Sequence, residues 1–341
     1  MPSFRLFPAV FLVCVAAIAA ARAQTAYVLP AYVEGVSEND LYSSLVENDD
    51  RWYTNGLRLE YGLGSRDPAP PILGRWPVRF ADRLCGAGCA PRNGESAIDT
   101  IGYALVSNTY TPTDTQLIAP DPRDRPYAGV LFVSQLYDRA SVREGRIAAE
   151  RRLSIDLGVI GPASGAGEIQ RWWHRRIGAA VPRGWGAQIG DEPIVQLGWR
   201  EERRVARFGE IAELWAQGRA DLGTLRVMAA AGGQARFGWL GSRLDAREAQ
   251  APWISAAYAN VGVEARLVGW NATIDGGVFT GGSSVSSRPF LAQWSFGAVV
   301  EVKERVRITY DYFERTKEFR GPLGKRYGYG SIAVRWVLPL P

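Results

Sequence analysis

The chain has 341 residues, 47% hydrophobic and 22% charged, with a formal net charge of +5. That length suits one large domain or two ordinary ones, and so mild a charge argues against a nucleic-acid partner while leaving attraction to an anionic surface open. Beyond the first two dozen residues no run of roughly eighteen apolar residues occurs, which excludes a helical membrane span.

The chain opens "MPSFRLFPAVFLVCVAAIAAARAQ", with a basic Arg5, an apolar run over 7–21 and a small-x-small end at Ala21, Arg22 and Ala23. This pattern predicts a secretory signal over 1–23, cleaved near Ala23, with 24–341 as the mature domain. Cys14 lies inside the apolar run behind Val13, which does not fit a lipoprotein cleavage site. Losing Arg5 and Arg22 lowers the formal charge from +5 to +3. Export also leaves only Cys85 and Cys89, in "CGAGC". In an oxidising compartment these favour a local disulfide over zinc, since no nearby His or further Cys completes a metal shell.

Next comes "SLVENDDRWYTNGLRLEY", which crowds Asn48, Asp49, Asp50, Thr54 and Asn55 ahead of an alternation of Leu57, Leu59 and Tyr61 with Arg58 and Glu60. Such a polar cluster is either a tight turn, where Asn, Asp and Gly are favoured for backbone reasons, or an oxygen-rich cation site. Period-two alternation then recurs down the chain, giving strands with one apolar and one charged face. The expected spans are 40–47, 53–64, 98–110, 127–138, 149–161, 192–205, 208–219, 223–237, 254–271, 290–302, 305–317 and 327–338. Soluble sandwiches and membrane barrels both alternate this way. Strand length and an even count of about twelve favour an all-β fold, a transmembrane antiparallel β-barrel. Tyr103, Tyr127, Trp199, Trp270, Trp294 and Trp336 are candidates for interfacial girdles. Both signs of charge lie on the inward faces, as in Arg58 with Glu60, Arg219 with Asp221, and Glu264 with Arg266. A lumen filled by ion pairs is therefore expected rather than an open pore.

One segment departs from the strand rhythm: "GPASGAGEIQRWWHRRIGAAVPRGWGAQIGDEP", residues 161–193. Ser164 can cap a short helix, near 164–178, that Gly178 and Pro182 stop. Gln170 and His174 are four apart and share one helix face. His174 is the sole histidine of the chain. A lone His among arginines on a surface helix is commonplace, but a general base of the usual kind acting near neutral pH could come from no other position.

These segments together resemble the lipid A 3′-O-deacylase (LpxR-like) family of Gram-negative outer-membrane proteins. The resemblance rests on "ENDDRWYTNGLRLEY", on "TYTP" followed by "DRPYAG" at 124–129, and on "LGVIGPASGAGEIQRWWHRRIG" continuing to "GWGAQIGDEP". It implies a twelve-stranded barrel with an active site at the outer-leaflet face, between the wall and an extracellular-loop helix. The implied activity is calcium-dependent hydrolysis of an ester-linked acyloxyacyl group of lipid A in lipopolysaccharide. The family's motif histidine falls on His174, which would deprotonate the attacking water, with Gln170 one turn earlier on the same helix. Its Asn-Asp pair falls on Asn48 and Asp49, the expected Ca2+ donors, and its motif Thr falls on Thr54, expected to orient substrate or water. Such a hard divalent ion takes carboxylate and carbonyl oxygens and can polarise an ester carbonyl.

The sequence also departs from that pattern. Only Asp50, Arg51 and Trp52 separate the Asn-Asp pair from Tyr53 and Thr54, where some relatives carry a long insertion. The loop "TPTDTQLIAP" lacks the Lys of some relatives, the nearest cations being Arg123 and Arg125. The sequence ends "RWVLPLP" in place of a terminal aromatic. Two alternatives stay open: an outer-membrane phospholipase using the same base and cation, and a non-catalytic structural or lipid-binding barrel. The oligomeric state is not legible in the sequence.

Overall fold

The computed structural model describes residues 31–43, 52–64, 83, 96–144, 146–241, 252–283 and 285–338. The expected signal segment, Cys85, Cys89, Asn48 and Asp49 lie outside the described residues.

Twelve antiparallel strands close into a barrel. They are β1 (Tyr32–Asn39), β2 (Asn55–Gly64), β3 (Ser96–Tyr110), β4 (Ala128–Arg143), β5 (Arg146–Ile160), β6 (Glu192–Phe208), β7 (Ala212–Gly223), β8 (Arg226–Trp239), β9 (Ile254–Asn271), β10 (Phe290–Val302), β11 (Val306–Arg315) and β12 (Tyr327–Val337). Each strand pairs with its sequence neighbours, and β1 closes the ring against β12, with Tyr32 opposite Val337 and Asn39 opposite Gly330. An even strand number brings both ends of the ring to the same side. Closure leaves no sheet edge unpaired, a condition for placing a sheet in lipid.

Side chains follow the period-two rule. Leu57 and Val263 point outward at 49% and 61% exposure, whereas Glu60, next to the outward Leu59, is fully buried inside. An exposed apolar belt makes sense only against a hydrocarbon solvent. All three expected inward pairs form: Arg58 with Glu60 at 3.6 Å, Arg219 with Asp221 at 3.1 Å, and Arg266 with Glu264. They extend into a wider network, with Arg152 joining Glu60 at 2.7 Å to Asp138 at 2.6 Å.

The first expected strand, 40–47, is displaced. The strand is Tyr32–Asn39, followed by a single 3-10 turn at Asp40–Ser43, and 44–47 lie outside the described residues. Gly35 and Ser37 occupy outward positions of β1, so its apolar alternation is broken and the strand is defined by pairing on both sides. The turn forms because the Asn39 and Asp40 side-chain oxygens both accept the Leu41 N–H, at 2.7 and 2.9 Å, an Asx-type contact. The expected span 208–219 is likewise shifted, to Ala212–Gly223. Of the candidate girdle residues, Trp294 and Trp336 are exposed on the outer surface. Tyr127 is fully buried under a loop, and Tyr103 is buried in mid-strand, so neither serves as a girdle.

The loop mouth of the barrel is sealed. Trp52, Tyr53, Ile274, Val285, Phe319, Tyr327 and Tyr329 form one buried cluster. Trp52 meets Phe319 and Tyr327 edge-on at 5.7 and 5.6 Å, geometry that adds to plain area burial. At the opposite mouth a cavity of about 370 Å³ penetrates the charged lumen among Arg58, Asp138, Arg152, Arg200, Glu202 and Arg307.

Candidate active site

The segment after β5 keeps close to the barrel rim. Gly161 donates its N–H to Gly129 O at 2.8 Å, a 3-10 turn covers Pro162–Ser164, and helix α1 runs over Ala166–Ile177. Its N-cap is Gly165, in the left-handed conformation, and not Ser164 as expected. The Ser164 hydroxyl is instead turned back to Gly161 O at 2.6 Å and meets the Ala166 N–H only at 3.4 Å, because the extra 3-10 turn moves the helix start onward. Gly178, with φ 72, ends the helix as the sequence indicates, its N–H satisfying His174 O.

Glycines let α1 sit tightly. A Cβ at Gly129 on β4 would lie 2.2 Å from Ser164 Oγ and 2.6 Å from Ala166 Cβ. A Cβ at Gly167 would lie 2.8 Å from the Trp185 ring. Trp185 belongs to the 3-10 turn Gly184–Ala187, and its ring packs on Tyr127 with centroids 4.9 Å apart. Burial pushes the Tyr127 phenol up to about 12, and its hydroxyl donates to Thr115 O at 3.1 Å. The loop after β3 is thereby fastened to the loop after β5.

Gln170 is buried beneath this pair, and its Oε1 accepts the Trp185 Nε1–H at 2.8 Å. His174, one turn on and half-exposed, places Nδ1 2.6 Å from the carbonyl oxygen of Ala180. A carbonyl only accepts, so Nδ1 carries the proton in this contact, and in the neutral ring Nε2 is the nitrogen with the lone pair. An imidazole anchored through one nitrogen with the other basic is suited to taking a proton.

Thr54 stands on the other flank of β3. Its N–H donates to Thr109 O at 3.2 Å, its Oγ1 lies 2.8 Å from Thr111 Oγ1, and its carbonyl accepts from Asn39 Nδ2 at 2.7 Å. Helix α1 packs on β3 and β4, and Thr54 is bonded to the end of the same β3. Asn48 and Asp49 precede Thr54 in sequence and lie outside the described residues. Among the described residues no group of three or more His, Cys, Asp or Glu side chains is placed to hold a metal.

"DRPYAG" proves structural in its first half. Asp124 accepts from Trp52 Nε1 at 3.0 Å, Thr113 N at 2.7 Å and Arg125 N at 2.8 Å. Arg125 is fully buried, 3.4 Å from Glu318 and 3.1 Å from Thr273 Oγ1, with its guanidinium 4.5 Å from the Tyr110 ring centroid. Arg123 is exposed and paired with Asp121 at 2.7 Å. Neither arginine takes the position of the missing lysine as a free cation. Sequence reasoning about the site missed Trp185, Thr111 and the Asp124 clamp. The tryptophan lay within the quoted "GWG" stretch, and its glycine neighbours were the available signal for close packing.

A closed barrel with an apolar outer belt, an aromatic cluster at its loop mouth and a histidine-bearing helix seated beside it defines an outer-membrane β-barrel with a candidate site on its loop face. The chain belongs to the family described as outer membrane protein LpxR, whose model matches residues 6–338. Membership places it in the Gram-negative outer membrane, in a family of lipid A deacylases. In structure it is similar to LpxR from Salmonella typhimurium, with a TM-score of 0.68 and 19% identity over 90% of this chain and 100% of that one. It also matches the β domain of the Bordetella autotransporter BrkA, at TM-score 0.39 and 11% identity over 91% and 99% of the two chains. The translocator domain of NalP from Neisseria meningitidis matches at TM-score 0.39 and 12% identity, over 98% of each. No curated protein matches the chain by sequence.

Proposed function

We propose that this protein hydrolyses an ester-linked 3′-acyloxyacyl group of lipid A in the outer leaflet, using a water deprotonated by His174. The observation that carries the reading is the 2.6 Å contact from His174 Nδ1 to Ala180 O, which supports a fixed ring with a basic Nε2 at the loop face. Nε2 would take the proton as the water oxygen adds to the ester carbonyl, then return it to the departing alkoxide. Gln170, bonded to Trp185, positions the helix turn that carries the base. Thr54 is assigned to orient the substrate or the water from the opposite side of β3.

Asn48 and Asp49 would hold a calcium ion, since a carboxylate and an amide carbonyl are the donors such an ion takes. The donor chemistry fits, and the competing carboxylate of the neighbouring loop, Asp124, already accepts three hydrogen bonds within the protein. When bound, the ion would polarise the ester carbonyl and offset the oxyanion charge.

The test is mass spectrometry of lipid A and phospholipids from a heterologous outer membrane carrying the wild type or His174→Ala. The reading requires loss of an acyloxyacyl mass from lipid A with the wild type alone. Release by the variant at the wild-type rate would overturn it, and release from phospholipid in place of lipid A would redirect it to a phospholipase.

A further inference from the structure

Helix α1 presents two faces to its surroundings besides the one it buries. Ala166, Gly167 and Gln170 turn inward. Ile169, Trp172, Trp173 and Ile177, at spacings i, i+3, i+4 and i+8, fall on one adjoining strip. These four are 41%, 57%, 53% and 56% exposed, and the two indoles lie side by side with centroids 6.2 Å apart. Glu168, Arg171 and Arg175 lie on the opposite side, with Glu168 and Arg171 paired at 3.0 Å. Among the described residues Arg175 and Arg176 have neither an ion pair nor a side-chain hydrogen bond.

We propose that this strip is an interfacial docking element that rests in the headgroup zone of the outer leaflet, with Arg175 and Arg176 engaging lipid phosphates. The proposal rests on the outer-membrane placement of the barrel and is independent of ester hydrolysis. Three observations favour a lipid surface over other occupants. The helix starts six residues after the last residue of β5, with Gly161 still bonded to the β4 backbone, so α1 lies at rim height. Tryptophan beside arginine on one helix is the composition of elements that lie in an anionic membrane interface. The neighbouring loop adds Ile118, 65% exposed, and is tied to the segment after α1 through Arg183 N–H to Thr115 O at 2.9 Å. The loop bonded to the segment after the helix thus carries a further exposed apolar side chain.

The consequence is that the helix carrying His174 is referenced to the membrane surface as well as to the barrel. Substrate depth relative to the base would then be set by indole insertion.

The full chain reconstituted into phosphatidylcholine–phosphatidylglycerol vesicles tests this, by comparing the wild type with Trp172→Phe/Trp173→Phe. The fluorescence lost in the variant is expected to be quenched at least twofold by bromine on the lipid acyl chains and to be insensitive to aqueous iodide. Quenching by iodide without quenching by bromine overturns the proposal. Insensitivity to both, together with cross-linked dimers, also overturns it by assigning the strip to a second copy. In the wild type, bromine quenching should rise with the phosphatidylglycerol fraction, and in Arg175→Gln/Arg176→Gln it should not. A rise retained in that variant removes the arginines from the docking element. Heat-modifiable migration of each variant on gels establishes that the barrel is folded.

Discussion

The indole of Trp52 donates to the Asp124 carboxylate across 3.0 Å, joining the loop that precedes β2 to the loop that precedes β4. The residues are 72 apart in sequence, and the bond is buried with Trp52 only 1% exposed. Removing the carboxylate in Asp124→Ala takes the acceptor from the Thr113 and Arg125 backbone N–H groups and leaves the Trp52 indole N–H only its 3.1 Å bond to Thr113 Oγ1. A loss of about 2–4 kcal/mol is expected for the orphaned donors, read as a lower temperature of heat modification. Deacylation should fall with it, because the Asn48 and Asp49 segment leads directly into Trp52.

His174→Ala and His174→Gln should each reduce acyl release by at least ~100-fold, the ordinary scale for loss of a general base. Both should leave the heat-modification temperature within experimental error, since the imidazole is half-exposed and its one bond is to a backbone carbonyl. Time courses of lipid A mass in purified outer membranes read the rates, and heat-modifiable migration on gels reads the stability.

Gly167→Ala places a methyl 2.8 Å from the Trp185 ring. The ring is wedged between α1 and Tyr127, so overpacking of about 1–3 kcal/mol is expected. Trp185→Phe keeps the stacking surface but removes the bond to Gln170, and should cost activity more than stability. Comparing initial rates with thermal stability for the two variants separates the effects.

Glu318 is buried, which alone would raise its pKa, but Arg315 at 2.6 Å and Arg125 outweigh burial and hold the carboxyl below its usual range. The folded value is the lower one. Its contribution is therefore fully present above the unfolded glutamate value of about 4.3 and is lost only as pH falls through the folded value. Wild type and Glu318→Gln should differ in stability at neutral pH and converge in acid below about pH 4. Thermal unfolding in a pH series checks the sign.

No single-channel current should appear in planar bilayers, because the aromatic cluster closes one mouth and paired charges fill the lumen. Trp52→Ala/Phe319→Ala should admit small ions only if the lumen network yields as well. A steady conductance in the wild type would contradict the sealed mouth.

Much of this architecture is legible in the sequence wherever a strand carries a strict apolar face toward lipid, as β9 does with Val261, Val263 and Leu267. It fails at β1, whose outward Gly35 and Ser37 give no periodic signal and whose position is set by partners on both sides. At the site, spacing is sufficient to put Gln170 and His174 on one face, since one turn of helix dictates it. What spacing could not disclose was that Gln170 is committed to Trp185 or that the Trp185 ring packs on Tyr127. Those contacts depend on two loops meeting above the rim, a long-range event with no local periodicity. Asn48 and Asp49 remain assigned by the resemblance and by donor chemistry.

Glu34 on β1 grips Arg58 of β2 at 2.9 Å and Arg335 of β12 at 2.7 Å, partners on either side of the place where the ring joins itself. Arg335 is 301 positions away and can reach that carboxylate only when the final strand arrives. During insertion the opening strand therefore holds half of a clasp whose other half is synthesised last. Closing the cylinder and giving Glu34 its second arginine are one event, so the shut ring alone holds the three charges together as a bridge across its own junction.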